Sequence, residues 1–115
     1  MNKHSMNLNP SPFEMIRSGR KTIELRLYDE KRQGIEVGDY ITFANTENEL
    51  DTLTAKVVNL YVFKSFVELY ENLPLLKCGY TEDDISCASP ADMEIYYSKE
   101  RQKQYGVVGI EIEVI

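Results

Sequence analysis

The chain has 115 residues, 43% of them hydrophobic and 28% charged, with a formal net charge of −6. That is enough for one domain, residues 1–115, with its own core, and no apolar run approaches the roughly 20 residues of a membrane helix. The net acidity argues against tight, sequence-blind binding to nucleic acid, which phosphate neutralisation drives. The N-terminus lacks an apolar signal core, so a cytoplasmic protein is expected.

His4, Met6 and Leu8 alternate with polar neighbours, which predicts a short first strand over residues 3–8. Ser11-Pro12-Phe13-Glu14 predicts a helix start, with Ser11 as cap and Pro12 at the first helical position. That helix is brief, buries Phe13 and Ile16, and stops before Gly19. Thr22–Leu27 alternates strictly, with Ile23, Leu25 and Leu27 on an oily face and Thr22, Glu24 and Arg26 on a polar one. Tyr28–Gln33 is a charged connector with room for one helical turn, and Gly38-Asp39 signals a turn before a strand at Tyr40–Asn45.

Thr46–Thr52 is polar and acidic, and is expected to form an exposed hairpin loop. Leu53–Phe63 is a long strand whose second half is apolar on both faces, as in a barrel strand covered by a helix. Ser65-x-x-Glu68 opens a helix over Phe66–Asn72, ended by Pro74. Thr81–Asp84 starts a short helical turn. Ser89-Pro90-Ala91-Asp92 starts a better one, expected to run to about Ser98 or on to Lys103. Gly106 breaks it, and Val107–Ile115 is a last strand, with Val108, Ile110, Ile112 and Val114 facing in. Short strands interrupted by short helices suggest a mainly antiparallel barrel with helices at its ends, and leave a ferredoxin-like α+β sandwich open.

The two cysteines, Cys78 and Cys87, are expected as free thiols. With His4 the lone histidine, four zinc ligands are hard to assemble, and neither a metal nor another cofactor is expected. His4 reads as a solvated terminal residue, and any nucleophile relying on a histidine base would have to borrow it.

The most distinctive stretch is Gly19-Arg20-Lys21-Thr22-Ile23-Glu24-Leu25-Arg26. Glu24 and Arg26 project from one strand face with Lys21 nearby, as a surface ion-pair ladder or as the floor of a site. Gly19, Lys21, Glu24 and Arg26 resemble the G-x-K-x-x-E-x-R signature of ASCH domains. The likeness continues through Ile35-x-x-Gly38-Asp39-x-Ile41-x-Phe43, Phe63-Lys64-Ser65-Phe66 and Tyr105-Gly106-Val107-Val108-Gly109-Ile110. It is strongest to small, single-domain prokaryotic members. It implies the PUA-like fold, an α+β, mainly antiparallel barrel of five or six strands with short helices covering its ends. It also implies that Lys21, Glu24 and Arg26 face a cleft between barrel and helices.

Such a cleft suits a nucleobase or nucleotide. Arg26 offers a planar fork, Lys21 a point charge and Glu24 an acceptor for an exocyclic amine. Tyr96, Tyr97 and Tyr105 cluster in sequence around Lys99, Arg101 and Lys103, a pattern that can stack a base and hold its phosphate. Tyr97 also resembles the family pattern in lying eight residues before the tyrosine of Tyr-Gly-Val. The expected ligand-binding set is therefore Lys21, Glu24, Arg26, Tyr97 and Lys99, and the expected partner is RNA or a nucleotide-like ligand, with any part in translation following from that.

The alternative is an enzyme. Some small ASCH proteins remove the acetyl group from N4-acetylcytidine with a lysine, a threonine and a glutamate, and ribonuclease activity has been suggested for others. Lys21 matches the lysine, but Glu24 stands at the threonine position. An amidohydrolase here would need Glu24 as general base and Lys21 as oxyanion partner.

Overall fold

The computed structural model describes residues 2–115. In chain order its elements are β1 (Lys3–Leu8), α1 (Pro10–Arg17), β2 (Ile23–Leu27), α2 (Glu30–Gln33), β3 (Tyr40–Asn45), β4 (Asn48–Phe63), α3 (Phe66–Asn72), α4 (Lys99–Tyr105) and β5 (Val107–Val114). Between α3 and α4 lie three 3-10 turns, Leu75–Lys77, Ile85–Cys87 and Pro90–Ile95. The strands form one sheet in the order β1-β3-β4-β5-β2. All neighbours are antiparallel except β1 and β3, which run parallel with Met6 opposite Phe43.

The sheet curls without closing. Strand β4 carries the curl: its pairing with β5 slips between Val57 and Asn59, leaving Val58 as a bulge, and bulges bend and twist a strand. Strands β1 and β2 remain as two unjoined edges, so the expected closed barrel is instead an open half-barrel. The expected α+β class and the five strands hold.

Apolar side chains gather on both faces. Met6, Leu8, Phe13, Ile16, Phe43, Val57 and Ile110 form one core, closed by α1. Ile23, Leu25, Phe66, Leu69, Cys78 and Val107 form the other, under α3. Ile23, Leu25, Val108, Ile110 and Ile112 are all buried, as the alternation predicts. Val114 is not: it lies near the strand end and is exposed. Gly106 joins α4 to β5 at φ +75°, and a Cβ there would lie 2.8 Å from the Phe63 carbonyl oxygen. The residue is fixed by both its backbone and its surroundings.

Several local expectations shift. Helix α1 starts one dipeptide earlier, with Asn9 at the cap and Pro10 at the first position. Two Asx/Ser-Pro pairs compete here, and the Phe13 amide already bonds to the Asn9 carbonyl. The predicted loop at Thr46–Thr52 is mostly strand, since β3 and β4 are joined at Thr46-Glu47. The helical turn expected from Thr81 begins only after Asp84, at Ile85–Cys87. The helix expected from Pro90 is a 3-10 turn that stops at Ile95, and Ser98 caps the separate α4 by accepting from the Arg101 amide.

His4 is not a solvated terminal residue. Its Nε2 lies 2.8 Å from Asp39 Oδ2, and Asp39 also accepts from the backbone amides of Asn2 and Glu36. These bonds pin the start of β1 to the turn before β3. The Asn2 amide foremost, then His4 and the Glu36 amide, hold the Asp39 carboxyl at about 2, below its ordinary 3.8. A depressed carboxyl contributes stability above its unfolded value and loses it as pH falls through the folded one. The stability gap between the parent and Asp39→Asn should be full above about pH 4 and shrink as pH approaches 2, measured by thermal melts across that range. A gap that stays constant would show that Asp39 is not held ionised.

Candidate functional site

Pairing register decides where the polar face of β2 points. Glu24 lies opposite Ile110 and Arg26 opposite Val108. Residues directly opposite in an antiparallel pair share a face, and Val108 and Ile110 belong to the inner core. Glu24 and Arg26 therefore turn into the half-barrel, at its open rim, while Ile23 and Leu25 pack beneath α3. Both faces of β2 are covered, which a simple inside–outside alternation does not anticipate.

Lys21 is brought to the same point by the chain entering β2. After α1 the backbone turns at Gly19, at φ +83°. The Lys21 amide then bonds to the Met15 carbonyl at 3.0 Å and the Thr22 amide to the Lys77 carbonyl at 2.9 Å. Gly79, at φ +109°, runs along the Lys21 stem, and a Cβ on it would sit 3.3 Å from Lys21 Cδ. The lysine is thus held between the end of α1 and the Cys78-Gly79 backbone.

The three side chains converge. Lys21 Nζ lies 2.6 Å from Glu24 Oε1. Arg26 donates to Glu24 Oε2 from Nε at 2.8 Å, and its Nη2 lies 2.7 Å from the same oxygen. Side-chain exposure is 4% for Glu24, 10% for Lys21 and 14% for Arg26. The trio is no surface ladder. Burial pushes the Glu24 carboxyl up, but Lys21 and Arg26 outweigh it and hold the group below the usual carboxylate range. Burial pulls the Arg26 guanidinium down, and Glu24, with the Tyr97 phenol, more than reverses it. Arg26 Nη2 also donates to the Asn7 carbonyl of β1 at 2.9 Å. One side chain thus bridges the two free edges of the sheet.

Over this bridge opens a cleft of about 730 Å³, within the size range of small-molecule sites. Lys21, Glu24 and Arg26 lie at its base, Asn7, Leu8 and Pro12 on one side, and Tyr70, Tyr80, Met93 and Tyr97 on the other. Tyr97 stacks on Phe66, with centroids 6.1 Å apart and planes at 19°. The Tyr70 and Tyr80 hydroxyls meet at 2.6 Å, and Tyr80 donates to Asp92 Oδ2 at 2.7 Å. Asp92 in turn accepts from the Ser89 amide. This chain ties α3 to the Pro90–Ile95 turn that walls the cleft. Cys78 lies in the cleft lining with its thiol pushed up to about 11, by burial first and Glu24 in addition, against an opposing effect of Lys21. It is protonated at neutral pH.

Of the residues singled out from sequence, Lys21, Glu24, Arg26 and Tyr97 share this cleft, and exposed Tyr96 sits on its rim. Lys99 does not: it is 85% exposed, paired with Glu94 at 3.4 Å, and lines a different groove. Tyr105 lies elsewhere, beside Glu30. The Tyr70–Tyr80–Asp92 chain was not legible in the sequence, because it joins residues 10 and 12 positions apart across irregular backbone. Cys78 is buried and Cys87 exposed, both free. Among the described residues no three His, Cys, Asp or Glu side chains group as metal ligands do, and no helix is long and apolar enough to cross a membrane.

A curled five-stranded α+β half-barrel with a polar trio at its open rim is a PUA-like architecture. The chain belongs to the ASCH domain family, whose profile matches residues 6–115. Among solved structures it is similar to hypothetical protein PH0355, at 36% identity over the whole of both chains with a TM-score of 0.80. It is also similar to protein PF0455 from Pyrococcus furiosus, at 34% identity over 100% of this chain and 98% of that one, TM-score 0.73. The fold is shared with the ASCH protein of Zymomonas mobilis, at 14% identity over 95% of this chain and 65% of that one, TM-score 0.64. No curated protein matched the chain.

Removing Glu24 would leave two cations partly out of water with no counter-charge. Glu24→Ala should lower stability by about 3–5 kcal/mol, measured by urea denaturation. A loss below about 1 kcal/mol would instead describe a screened surface ladder.

Proposed function

We propose that the chain is a recognition module that binds RNA or a nucleotide in the Lys21–Glu24–Arg26 cleft. The observation that carries this is the trio itself. One buried carboxylate fixes two cations at the base of a cleft walled by tyrosines. The trio keeps a net positive charge, since two cations face one anion. Lys21 Nζ has three N–H donors and the Arg26 guanidinium five, more than Glu24 and Asn7 consume. The remaining donors suit a phosphate or a base carbonyl, and the Tyr96 and Tyr97 rings suit a base. A role in translation would follow from the RNA bound.

The alternative, hydrolysis of an acylated cytidine by Lys21 and Glu24, requires Glu24 to take a proton. Both its oxygens are engaged by cations, and its carboxyl is held below the usual range. A base so stabilised is weak at neutral pH. The geometry therefore favours binding.

Ligand-observed NMR against the four nucleoside 5′-monophosphates and short RNAs tests this. Lys21→Met, which keeps the stem, should weaken the best binder by about 10–100-fold, the range for a lost charge-assisted bond. Unchanged affinity would refute the cleft as the site. Acetate release from N4-acetylcytidine, lost in both Lys21→Met and Glu24→Gln, would promote the hydrolase instead.

A further inference from the structure

The residue that left the cleft, Lys99, belongs to a second groove of about 500 Å³. It lies behind the Pro90–Ile95 turn, which is the wall between the two: Ala91 lines both. Lys64, just after the end of β4, lines the groove. Lys99 and Lys103, one turn apart on α4, line it too. Glu94 is the acid that lines it, and it is taken up by Lys99. Among the described residues no carboxylate pairs with Lys64 or Lys103. In a chain of net charge −6, three lysines against one acid in a concave surface is a local reversal of sign, and concave walls focus such a field.

The wall itself is suited to be crossed. Ile95 and Tyr96, at its end, are 80% and 61% exposed on the rim of the cleft. Single-strand-binding surfaces combine such an exposed ring, as a stacking platform, with a basic phosphate track. A helical turn is about 10 Å across, a distance that an extended single strand crosses within a few nucleotides.

We propose that the cleft takes one nucleotide of an RNA strand and that the strand continues over Tyr96 into the Lys64–Lys99–Lys103 groove, where its phosphates are held. This deepens, and rests on, the nucleotide reading of the cleft: the ligand is an oligonucleotide, not a free nucleotide.

The test compares two probes, the nucleoside 5′-monophosphates and a mixed-sequence RNA of about six nucleotides, a length within the about 4–16 nucleotides that OB-fold single-strand binders occupy. Affinities are measured by calorimetry over a range of KCl concentrations for the parent and for Lys64→Gln/Lys103→Gln. Both substitutions remove a charge while keeping most of the side-chain stem and lie outside the cleft, and thermal melts check the fold. The expected result has three parts. The hexamer binds the parent more tightly than any monophosphate. The double variant binds the monophosphates as the parent does. Its hexamer binding weakens, and the slope of log affinity on log salt falls by about 1.4, about 0.7 for each phosphate no longer neutralised. If the hexamer's affinity and slope are unchanged while monophosphates still bind, the lysines are only a solvated surface; the groove is refuted and the cleft reading stands. If monophosphates and hexamer both fail to bind, the cleft reading falls and this proposal with it.

Discussion

A carboxylate moved almost wholly out of water must be compensated, and in this fold that constraint is met by two cations from opposite directions. Lys21 approaches Glu24 from the chain entering β2, and Arg26 from two residues further along the same strand. Glu24 offsets the burial of both cations, and they in turn hold its carboxyl ionised. The trio is therefore both a structural joint and the floor of the cleft. Arg26 extends the joint by reaching the Asn7 carbonyl, so the two edges of the open sheet are held at a fixed distance without a strand–strand ladder. An open edge ordinarily invites foreign pairing. Here a side chain occupies part of it, and a cleft takes the space a closed barrel would have filled.

The rest of the molecule serves that opening. The bulge at Val58 bends β4 so that the outer strands come round toward each other. Helix α1 closes the inner core and delivers its C-terminal end to Lys21. The irregular stretch from Pro74 to Ser98 supplies the other wall, where Leu75, Cys78, Met93 and Tyr97 pack on the core under α3 and hydrogen bonds fix the turns. Ser89 and Asp92 cap the Pro90–Ile95 turn reciprocally, and Asp92 also anchors Tyr80. A wall built in this way keeps polar groups facing the cleft. It also leaves Tyr96 exposed on the rim of the cleft.

Much of this was legible from residues alone, and the limits have physical causes. Strands β3 and β5 and helix α3 fall where alternation, the Ser65 cap and Pro74 put them, because those signals are local. The G-x-K-x-x-E-x-R pattern alone singles out Lys21, Glu24 and Arg26. Their burial was not legible. A period of two tells which side chains share a face, but not what that face meets, and β2 has cover on both. Closure of the barrel was not legible either, since it depends on curl accumulated along β4. Lys99 follows Tyr97 closely in sequence, yet Ser98 starts a new helix between them and sends the lysine to the far side of the wall.

The central claim is that Glu24 is ionised in the folded protein and held so by Lys21 and Arg26. The direct measurement is its titration, followed through the side-chain carboxyl carbon by NMR in glutamate-labelled protein, with Glu24→Gln to assign the signal. The expected midpoint lies below the ordinary glutamate value of 4.5, with the signal unchanged through neutral pH. A midpoint at or above 4.5 would mean that burial prevails over the two cations, and that the base of the cleft is not the charged trio described here.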